Sequence, residues 1–357
     1  MSGTSEGTKT KAIFETALEN GKVTAFFEGE RIPQSGTGPV AERASNYLNA
    51  LLERVKIGKK TDLVYDLDGV TFPAVETVKN SSTLEGWAHE NHDEINLFKY
   101  KVGLLQSTGD FRVGICTGRG FDFTMRVVGL FFPPNSMDFI IAEGGGVIAS
   151  KPEKGEEWNP RLAKSINQES LAFLNRYRNE IIEATVTSGG ILEKPPKHVR
   201  LTLNPPKGMT GEQFKGSVVD IIRKLAERSH QDRKGLEALA RGVTHTPSSV
   251  EVMPYGVNKP VSLLEMSADN NRVYFGDADG DKPAMQISHV NVSPSNSEEG
   301  IKKFIEGDKG SHPFIGMLTQ SPLIYGVNEA LSALERMFYT RANRSRDAVP
   351  AGNDVKW

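Results

Sequence analysis

Four apolar runs in this sequence each end abruptly in carboxylates, a hydroxyl or glycines, and this feature constrains the fold most. The four runs are LVYDLDG from Leu63, FRVGICTGRG from Phe111, DFIIAEGGG from Asp138 and RVYFGDADGD from Arg272. Short apolar runs bounded by turn residues are typical of buried strands. A helical pattern follows at least the second and fourth runs, and HVNVS from His289 reads as a short fifth strand. The sequence therefore predicts an α/β fold with a doubly wound, parallel, Rossmann-like sheet, which binds ligands at the carboxyl ends of its strands.

The middle of the chain has a different pattern, in which a helix followed by two strand-like runs occurs twice. Apolar residues at helical spacing mark the two helices: Leu171, Leu174, Tyr177 and Ile181, then Phe214, Val218, Ile221 and Leu225. The strand-like runs cover 190–193, 198–203, 242–246 and 250–253. This αββαββ order predicts a separate α+β domain that interrupts the sheet domain.

These patterns predict four parts of the chain. Residues 1–58 form an N-terminal extension, with a disordered stretch at 1–11 and an amphipathic helix at 40–56. The sheet domain comprises 59–152 and 251–310, and the inserted domain comprises 153–250. Residues 311–357 form a C-terminal helical extension.

Composition excludes several classes of protein. The formal net charge is −2, so no strong field attracts nucleic acid or an anionic membrane. The sequence has no run of 18 apolar residues and no apolar stretch near its start, so neither a membrane span nor a signal peptide is expected. The only cysteine, Cys116, excludes an internal disulfide and is expected to be a small buried side chain. We therefore expect a cytoplasmic protein.

The first acidic motif contains Asp66 and Asp68. Side chains two apart at an extended strand end project on the same side, so one carboxylate could attack while the other handles a proton. An ordinary turn or N-cap aspartate pair is the alternative, and D-x-D-G alone is a weak signal.

Thr117 is a candidate for binding an anion, whereas Lys259 is singled out only by its position. The Thr117 hydroxyl and the amides of the glycines after it would form a phosphate cradle at a strand end. A plain N-cap threonine is the alternative. Lys259, in YGVNKP, follows the inserted domain, and a single lysine is usually solvated surface.

The last motif holds Asp277, Asp279 and Asp281, a set that favours a hard cation. An EF-hand calcium loop counted from Asp277 would need glycine at 282 and glutamate at 288. The sequence has Lys282 and Ser288 there, so this type of calcium site is excluded. An acidic turn without metal stays open.

In this order, YDLDGV, ICTGR, the lysine of NKP and FGDADGD resemble the motifs of the haloacid dehalogenase superfamily of phosphotransferases. The resemblance covers about 60–295. The inserted domain, between the second and third motifs, looks like the open-sheet cap of trehalose-6-phosphate, sucrose-6-phosphate and mannosyl-3-phosphoglycerate phosphatases and of phosphomannomutases. Gly144 and Gly280 depart from this pattern, since many relatives have asparagine at the first and asparagine or threonine at the second. The Asp68–Thr117 spacing is long, which predicts an insertion at 71–100.

The resemblance implies a phosphoric monoester hydrolase that uses Mg²⁺. Asp66 would attack phosphorus, and Asp68 would protonate the leaving oxygen and then activate water. The Asp66 carboxylate, the Asp68 carbonyl oxygen and Asp277 would hold the metal, with Asp281 in or next to that shell.

The same resemblance implies the remaining binding residues. Thr117 and Gly118 would bind a phosphate oxygen, and Lys259 would offset its charge. Arg119, Glu193, Lys197, His198 and Arg200 would bind the rest of the substrate. His198 and Arg200 are expected on one strand face. A solvated sheet face is the alternative for each of Glu193, Lys197, His198 and Arg200.

Three functions are compatible with the sequence. The first is hydrolysis of a small phosphorylated substrate, such as a sugar phosphate. The second is a sugar phosphomutase that uses the same motifs, and the third is a non-catalytic binding protein on the same fold. The sequence also leaves open a homo-oligomer.

Overall fold

A computed structural model of the protein describes residues 59–73, 83–194, 196–246, 248–307 and 315–347, and three strands between residues 13 and 31. The disordered stretch predicted at 1–11 and the helix predicted at 40–56 lie outside these residues. The chain forms two compact units. The first comprises Met1–Val113, Leu130–Ser136 and Asp269–Trp357, and the second comprises Gly114–Gly129 and Met137–Ala268.

The first unit contains a mixed β-sheet whose central strands are parallel. Its strands are β1 (Ile13–Glu19), β2 (Lys22–Phe27), β3 (Glu30–Arg31), β4 (Thr61–Tyr65), the start of β5 (Phe111–Cys116), β13 (Asn271–Phe275), β14 (Val290–Ser293) and β15 (Ile315–Thr319). Their order is β3-β2-β1-β15-β14-β13-β4-β5. Strands β1, β15, β14, β13 and β4 pair in parallel, whereas β2 and β3 are antiparallel additions at the edge. Every residue of β4 and β13 is buried, as their apolar runs LVY and VYF predict for strands covered on both faces.

The helices of the first unit pack against this sheet and against one another. They are Leu84–Glu90, His92–Ser107, Lys282–Gln286, Glu299–Gly307 and Leu323–Asp347. The first two fall largely within the insertion predicted at 71–100. Lys101 donates hydrogen bonds from its Nζ to the Asn328 carbonyl (2.7 Å) and the Ser332 hydroxyl (2.6 Å), which joins the C-terminal helix to His92–Ser107.

Four strands of this sheet were not predicted from the sequence: β1, β2, β3 and β15. The segment IFETALE of β1 contains alanine, leucine and glutamate, which favour helix in isolation. It pairs antiparallel with β2, which follows it closely, and in parallel with β15, about 300 positions away, so strand pairing and not local propensity decides its conformation. The region beyond residue 310 thus supplies a core strand as well as a helix.

The second unit contains the end of β5 with β6 (Met137–Ala142), β7 (Val147–Ser150) and β8 (Arg161–Leu162), and a separate four-stranded sheet. That sheet is antiparallel, in the order β11 (Val243–His245), β12 (Val250–Val252), β10 (Leu201–Asn204) and β9 (Ile191–Leu192). The helices of this unit are most of Phe121–Phe131, then Gln168–Thr187, Gly211–Arg228, Arg233–Arg241 and Lys259–Ser267. Leu174, Phe214, Val218 and Leu203 belong to one buried core between the four-stranded sheet and its helices.

The predicted α/β class with an α+β insertion is confirmed. The insertion also contains one helix that the sequence did not predict. Arg233–Arg241 lies between the second predicted helix and the last strand pair, where only Leu236, Leu239 and Ala240 are buried. Three apolar residues are too few to give a periodic signal. Among the described helices, none is long and apolar enough to cross a membrane.

Candidate active site

Asp66 and Asp277 follow two adjacent parallel strands that end in register. Tyr65 of β4 pairs with Phe275 of β13, and the Asp66 amide donates a hydrogen bond to the Phe275 carbonyl (2.9 Å). The Tyr65 and Phe275 rings stack with centroids 4.5 Å apart, which helps to fix the two strand ends. The two motifs that the resemblance assigns to one metal site thus follow neighbouring strands of the first unit.

Asp66, Asp277 and Asp281 form a cluster of three carboxylates. One oxygen of each lies within 4.8 Å of the others, and Asp66 and Asp281 are buried. Each pair of negative charges at that distance repels by about 3 kcal/mol or more at an effective dielectric near 20. Oxygen ligands of this kind suit Mg²⁺, whose charge would offset the repulsion, so the donor set fits the implied metal.

Asp281 also orders the loop that carries Asp277. Its Oδ1 accepts from the Tyr274 hydroxyl (2.8 Å), and its Oδ2 accepts from the amides of Asp277 (3.2 Å) and Ala278 (3.3 Å). Asp279 differs, because its side chain is exposed and pairs with Lys282 (3.0 Å). The second aspartate of the motif is thus absent from the cluster.

The structure explains why the residue after Asp68 in the first motif is a glycine, Gly69. Its φ is +72°, and a Cβ at this position would lie 1.8 Å from the Asp277 Oδ2. A side chain here would therefore be strained and would displace Asp277. Asn296 braces the same turn by donating to the Gly69 carbonyl (2.7 Å) and accepting from the Leu323 amide (2.8 Å). Asn296 was not predicted from the sequence, because it lies in an ordinary loop motif.

Asp68 lies half-buried in the turn after Asp66. The Gly69 amide donates to the Phe72 carbonyl (2.8 Å) and the Thr71 amide donates to the Leu67 carbonyl (3.0 Å), which closes this turn. The Leu67 amide donates to Asp66 Oδ1 (2.9 Å) and orients that carboxylate. The roles of Asp68 as acid and as carbonyl ligand stay predictions.

Thr117 and Lys259 belong to the second unit, where one glycine turn contacts both motifs. The Gly144 amide donates to the Thr117 carbonyl (2.9 Å). Gly145 lies against the backbone before Lys259, since its Cβ would come within 2.5 Å of the Asn258 carbonyl. The Gly145 carbonyl also accepts from the Ser262 hydroxyl (2.6 Å), on the helix that begins at Lys259. The second and third motifs are thus held together inside this unit.

The residues predicted for substrate binding form a charged network in the second unit. Glu193 accepts from the Arg119 guanidinium (2.9 Å) and the Lys197 Nζ (2.6 Å). Arg200 pairs with Glu251 (2.7 Å) and donates to the Gly118 carbonyl. The structure therefore brings Gly118, Arg119, Glu193, Lys197 and Arg200 together, although it does not test their role.

Burial and neighbouring charges shift the pKa values of Lys197 and Glu193. Burial lowers the pKa of Lys197 to about 8, with Arg200 acting in the same direction and Glu193 opposing it. Burial alone would raise the pKa of Glu193, but Lys197 and Arg119 hold that pKa below its ordinary value. The network contains three cations, Arg119, Lys197 and Arg200, and two carboxylates, Glu193 and Glu251. Its net positive charge suits an acidic or hydroxyl-rich ligand.

His198 does not share a face with Arg200, so this part of the sequence prediction is wrong. His198 is exposed, whereas Lys197 and Arg200 are buried. Strand β10 begins only at Leu201, and the alternation expected for a strand does not apply before it. The amides of His198 and Val199 donate to the Glu143 carboxylate and not to a strand ladder, which accounts for this late start.

The two glycines that depart from the resemblance have different surroundings. A Cβ at Gly144, whose φ is +70°, would lie 3.0 Å from the Arg200 guanidinium, so the absence of a side chain makes room for Arg200. Gly280 is exposed, and no atom would come within 4 Å of its Cβ.

Glu143 is a charged residue that was not predicted from the sequence. It is fully buried with φ +53°, and its carboxylate accepts from the amides of His198 (2.9 Å) and Val199 (2.8 Å). Its position after a buried strand, like those of Asp66 and Thr117, was the available signal.

No known family model matches the chain, and no curated protein matches it. Solved structures that resemble it include haloacid dehalogenase-like hydrolases and sugar-phosphate phosphatases. The sucrose-phosphatase of Synechocystis sp. PCC6803 has a TM-score of 0.47 at 14% identity, covering 78% of this chain and 98% of that one. A trehalose-6-phosphate phosphatase related protein has a TM-score of 0.47 at 14% identity, covering 78% of this chain and 99% of that one. A haloacid dehalogenase-like hydrolase from Bacteroides thetaiotaomicron has a TM-score of 0.47 at 15% identity, covering 77% of this chain and 100% of that one. At these scores the likeness assigns no residue of this chain a role.

Proposed function

We propose that this protein is a Mg²⁺-dependent phosphatase that hydrolyses a phosphorylated sugar or a related small metabolite through an aspartyl-phosphate on Asp66. The observation that carries the proposal is the cluster of Asp66, Asp277 and Asp281 at two strand ends in register. A buried carboxylate fixed by a backbone amide is a suitable nucleophile when a cation offsets its charge.

The first half of the reaction forms a bond between Asp66 and phosphorus. A carboxylate oxygen of Asp66 attacks the phosphate ester in line, and the bond from phosphorus to the sugar oxygen breaks. Asp68 donates its proton to that leaving oxygen, so the alcohol departs neutral. The amide of Leu67 keeps the attacking carboxylate in one orientation throughout this step.

The second half returns the enzyme to its starting state. Asp68, now a carboxylate, accepts a proton from water as the water oxygen attacks phosphorus. The bond from phosphorus to Asp66 breaks, inorganic phosphate leaves, and both aspartates regain their initial protonation.

Asp66, Asp277 and the Asp68 carbonyl would hold the metal, with Asp281 ordering Asp277 from within or beside that shell. Mg²⁺ would offset the repulsion between the anionic nucleophile and the anionic phosphate. Thr117, Gly118 and Lys259 are assigned to the phosphate oxygens, an assignment supported by the motif order in the sequence.

Substrate recognition is assigned to Arg119, Glu193, Lys197 and Arg200, the predicted residues that the charged network contains. Buried, mutually paired cations and carboxylates can donate to and accept from sugar hydroxyls in fixed directions. A cytoplasmic location belongs to the same proposal and is supported by the single cysteine, which is buried and has no second cysteine with which to form an internal disulfide.

The test is phosphate release from a panel of esters, with and without Mg²⁺. The panel contains p-nitrophenyl phosphate and the 6-phosphates of glucose, mannose, sucrose and trehalose. We expect Mg²⁺-dependent release from at least one sugar phosphate. We also expect Asp277→Asn to raise the Mg²⁺ concentration needed for half-maximal rate, while Asp279→Asn, in the same loop but exposed, retains the wild-type value. Conversion to an isomeric sugar phosphate with little free phosphate would instead identify a mutase, and no turnover of any ester would overturn the enzymatic assignment.

A further inference from the structure

Glu143 combines a fully buried carboxylate with a left-handed backbone, and both features are energetically unfavourable. It is fully buried, and its backbone is left-handed although it is not glycine. Buried charges are costly unless paired, and such backbone strain persists only where the surroundings impose it. Two costs at one residue indicate that its contacts matter.

The Glu143 carboxylate holds a short segment of main chain that precedes strand β10. Its two oxygens accept from the consecutive amides of His198 (2.9 Å) and Val199 (2.8 Å). Arg178 binds the carbonyl groups of the same segment. Its guanidinium donates to the carbonyls of Lys197 (2.9 Å) and His198 (2.7 Å). Four charge-assisted hydrogen bonds therefore fix this segment before the strand ladder begins.

The clamped segment carries two of the buried cations assigned to substrate binding. Lys197 lies at one end and Arg200 follows directly after Val199. Lys197 reaches Glu193 and the Thr202 hydroxyl (2.8 Å). A shift of the segment main chain would move both cations at once.

The same glutamate is tied to the turn that contains the second motif. Its amide donates to the Arg119 carbonyl (2.8 Å), and the next amide, of Gly144, donates to the Thr117 carbonyl (2.9 Å). Arg200 closes the loop by donating to the Gly118 carbonyl. Glu143 thus lies between the predicted phosphate cradle and the predicted recognition residues, within one unit.

We propose that Glu143 is a positioning residue for specificity: with Arg178 it fixes the segment Lys197–Arg200, so that Lys197 and Arg200 meet the part of the substrate that does not react. This rests on the proposed function. The competing interpretation is a buried carboxylate that serves stability alone. The two differ in what happens to a substrate that lacks the recognised part, because binding energy from remote groups is lost only for substrates that have them.

The test compares Glu143→Gln with wild type on two substrates. One is the sugar phosphate of the panel above with the highest kcat/KM, and the other is p-nitrophenyl phosphate, which has no sugar. The amide places an N–H₂ where a backbone amide donates, so one hydrogen bond is replaced by a clash of donors. We expect kcat/KM for the sugar phosphate to fall roughly 10- to 100-fold, mainly through KM, as for one lost charge-assisted bond. We expect p-nitrophenyl phosphate to change by less than about threefold.

Two further variants keep the outcome interpretable. Glu153→Gln, an exposed change in the same unit, should leave both substrates at wild-type rates. Arg178→Lys keeps the positive charge but loses the guanidinium that donates to two carbonyls, so it should show the same selectivity. It replaces Glu143→Gln in the test if that variant does not fold. Equal losses on both substrates, or no loss on the sugar phosphate, would overturn the proposal. A wild-type protein that hydrolyses neither would instead overturn the proposed function.

Discussion

Replacing Gly69 by alanine should impair the acidic cluster through a single methyl group. The Cβ would start 1.8 Å from the Asp277 Oδ2, and real Cβ contacts do not fall below 3.0 Å, so that oxygen must move by at least about 1.2 Å. The left-handed backbone adds about 1–2 kcal/mol of strain for a residue with a Cβ. Because Mg²⁺ requires near-ideal ligand positions, and a 1 Å misplacement can cost about 100-fold in rate, we expect a loss of roughly that size.

The assay is phosphate release across a Mg²⁺ titration, together with a denaturant melt to measure the free energy of unfolding. Gly280→Ala is the matched control, because no atom lies within 4 Å of its Cβ and its backbone is not left-handed. The control should keep wild-type activity and Mg²⁺ dependence. Wild-type Mg²⁺ dependence in Gly69→Ala would contradict the expectation, since it would mean that the position of Asp277 does not matter.

Three further predictions concern two buried groups, the Tyr65 hydroxyl and the Lys197 ammonium. Tyr65→Phe should leave the free energy of unfolding unchanged or raise it by up to about 1 kcal/mol, because the Tyr65 hydroxyl is buried without a hydrogen-bond partner among the described residues; a loss above that size in a denaturant melt would contradict this. Lys197 should lose its charge as the pH rises through about 8, so KM for the sugar phosphate should rise above that pH, while p-nitrophenyl phosphate shows no such change. Its lowered pKa means that the unfolded chain binds more protons between pH 8 and the ordinary lysine value, so stability relative to Lys197→Met should increase with pH across that window. Parallel pH dependence of both substrates, or of wild type and Lys197→Met, would exclude Lys197 as the cause.

The strand ends were predictable because burial on both faces leaves a legible pattern. LVY before Asp66 and RVYF before Gly276 read as strands from their apolar runs, and the following carboxylates mark where each strand stops. Parallel strands end at one edge of a sheet, which the pattern indicated, but that β4 and β13 are neighbours was visible only in the structure.

What the sequence could not show depends on contacts that are distant along the chain. Glu143 acts on amides more than 50 residues away, and main-chain donors leave no trace in residue types. His198 was misplaced because alternation was assumed across residues that precede strand β10, where the amides of His198 and Val199 donate to Glu143. Strand β1 was missed because its residue types favour helix, although Asn-Gly at 20–21 in the sequence is a common hairpin signal and β1 pairs with β2 as well as with β15. The reason for Gly69 likewise needed the position of Asp277.

Nucleophilic attack by Asp66 is tested most directly by phosphate release from Asp66→Asn at saturating Mg²⁺, on the sugar phosphate that wild type hydrolyses best. Asparagine keeps the size of the side chain and its acceptor for the Leu67 amide, but it is not a nucleophile. We expect kcat to fall by at least about 1,000-fold, as for loss of a covalent nucleophile, with the free energy of unfolding unchanged or raised by relief of charge repulsion. A purified, folded Asp66→Asn that releases phosphate at the wild-type rate would contradict the proposed mechanism.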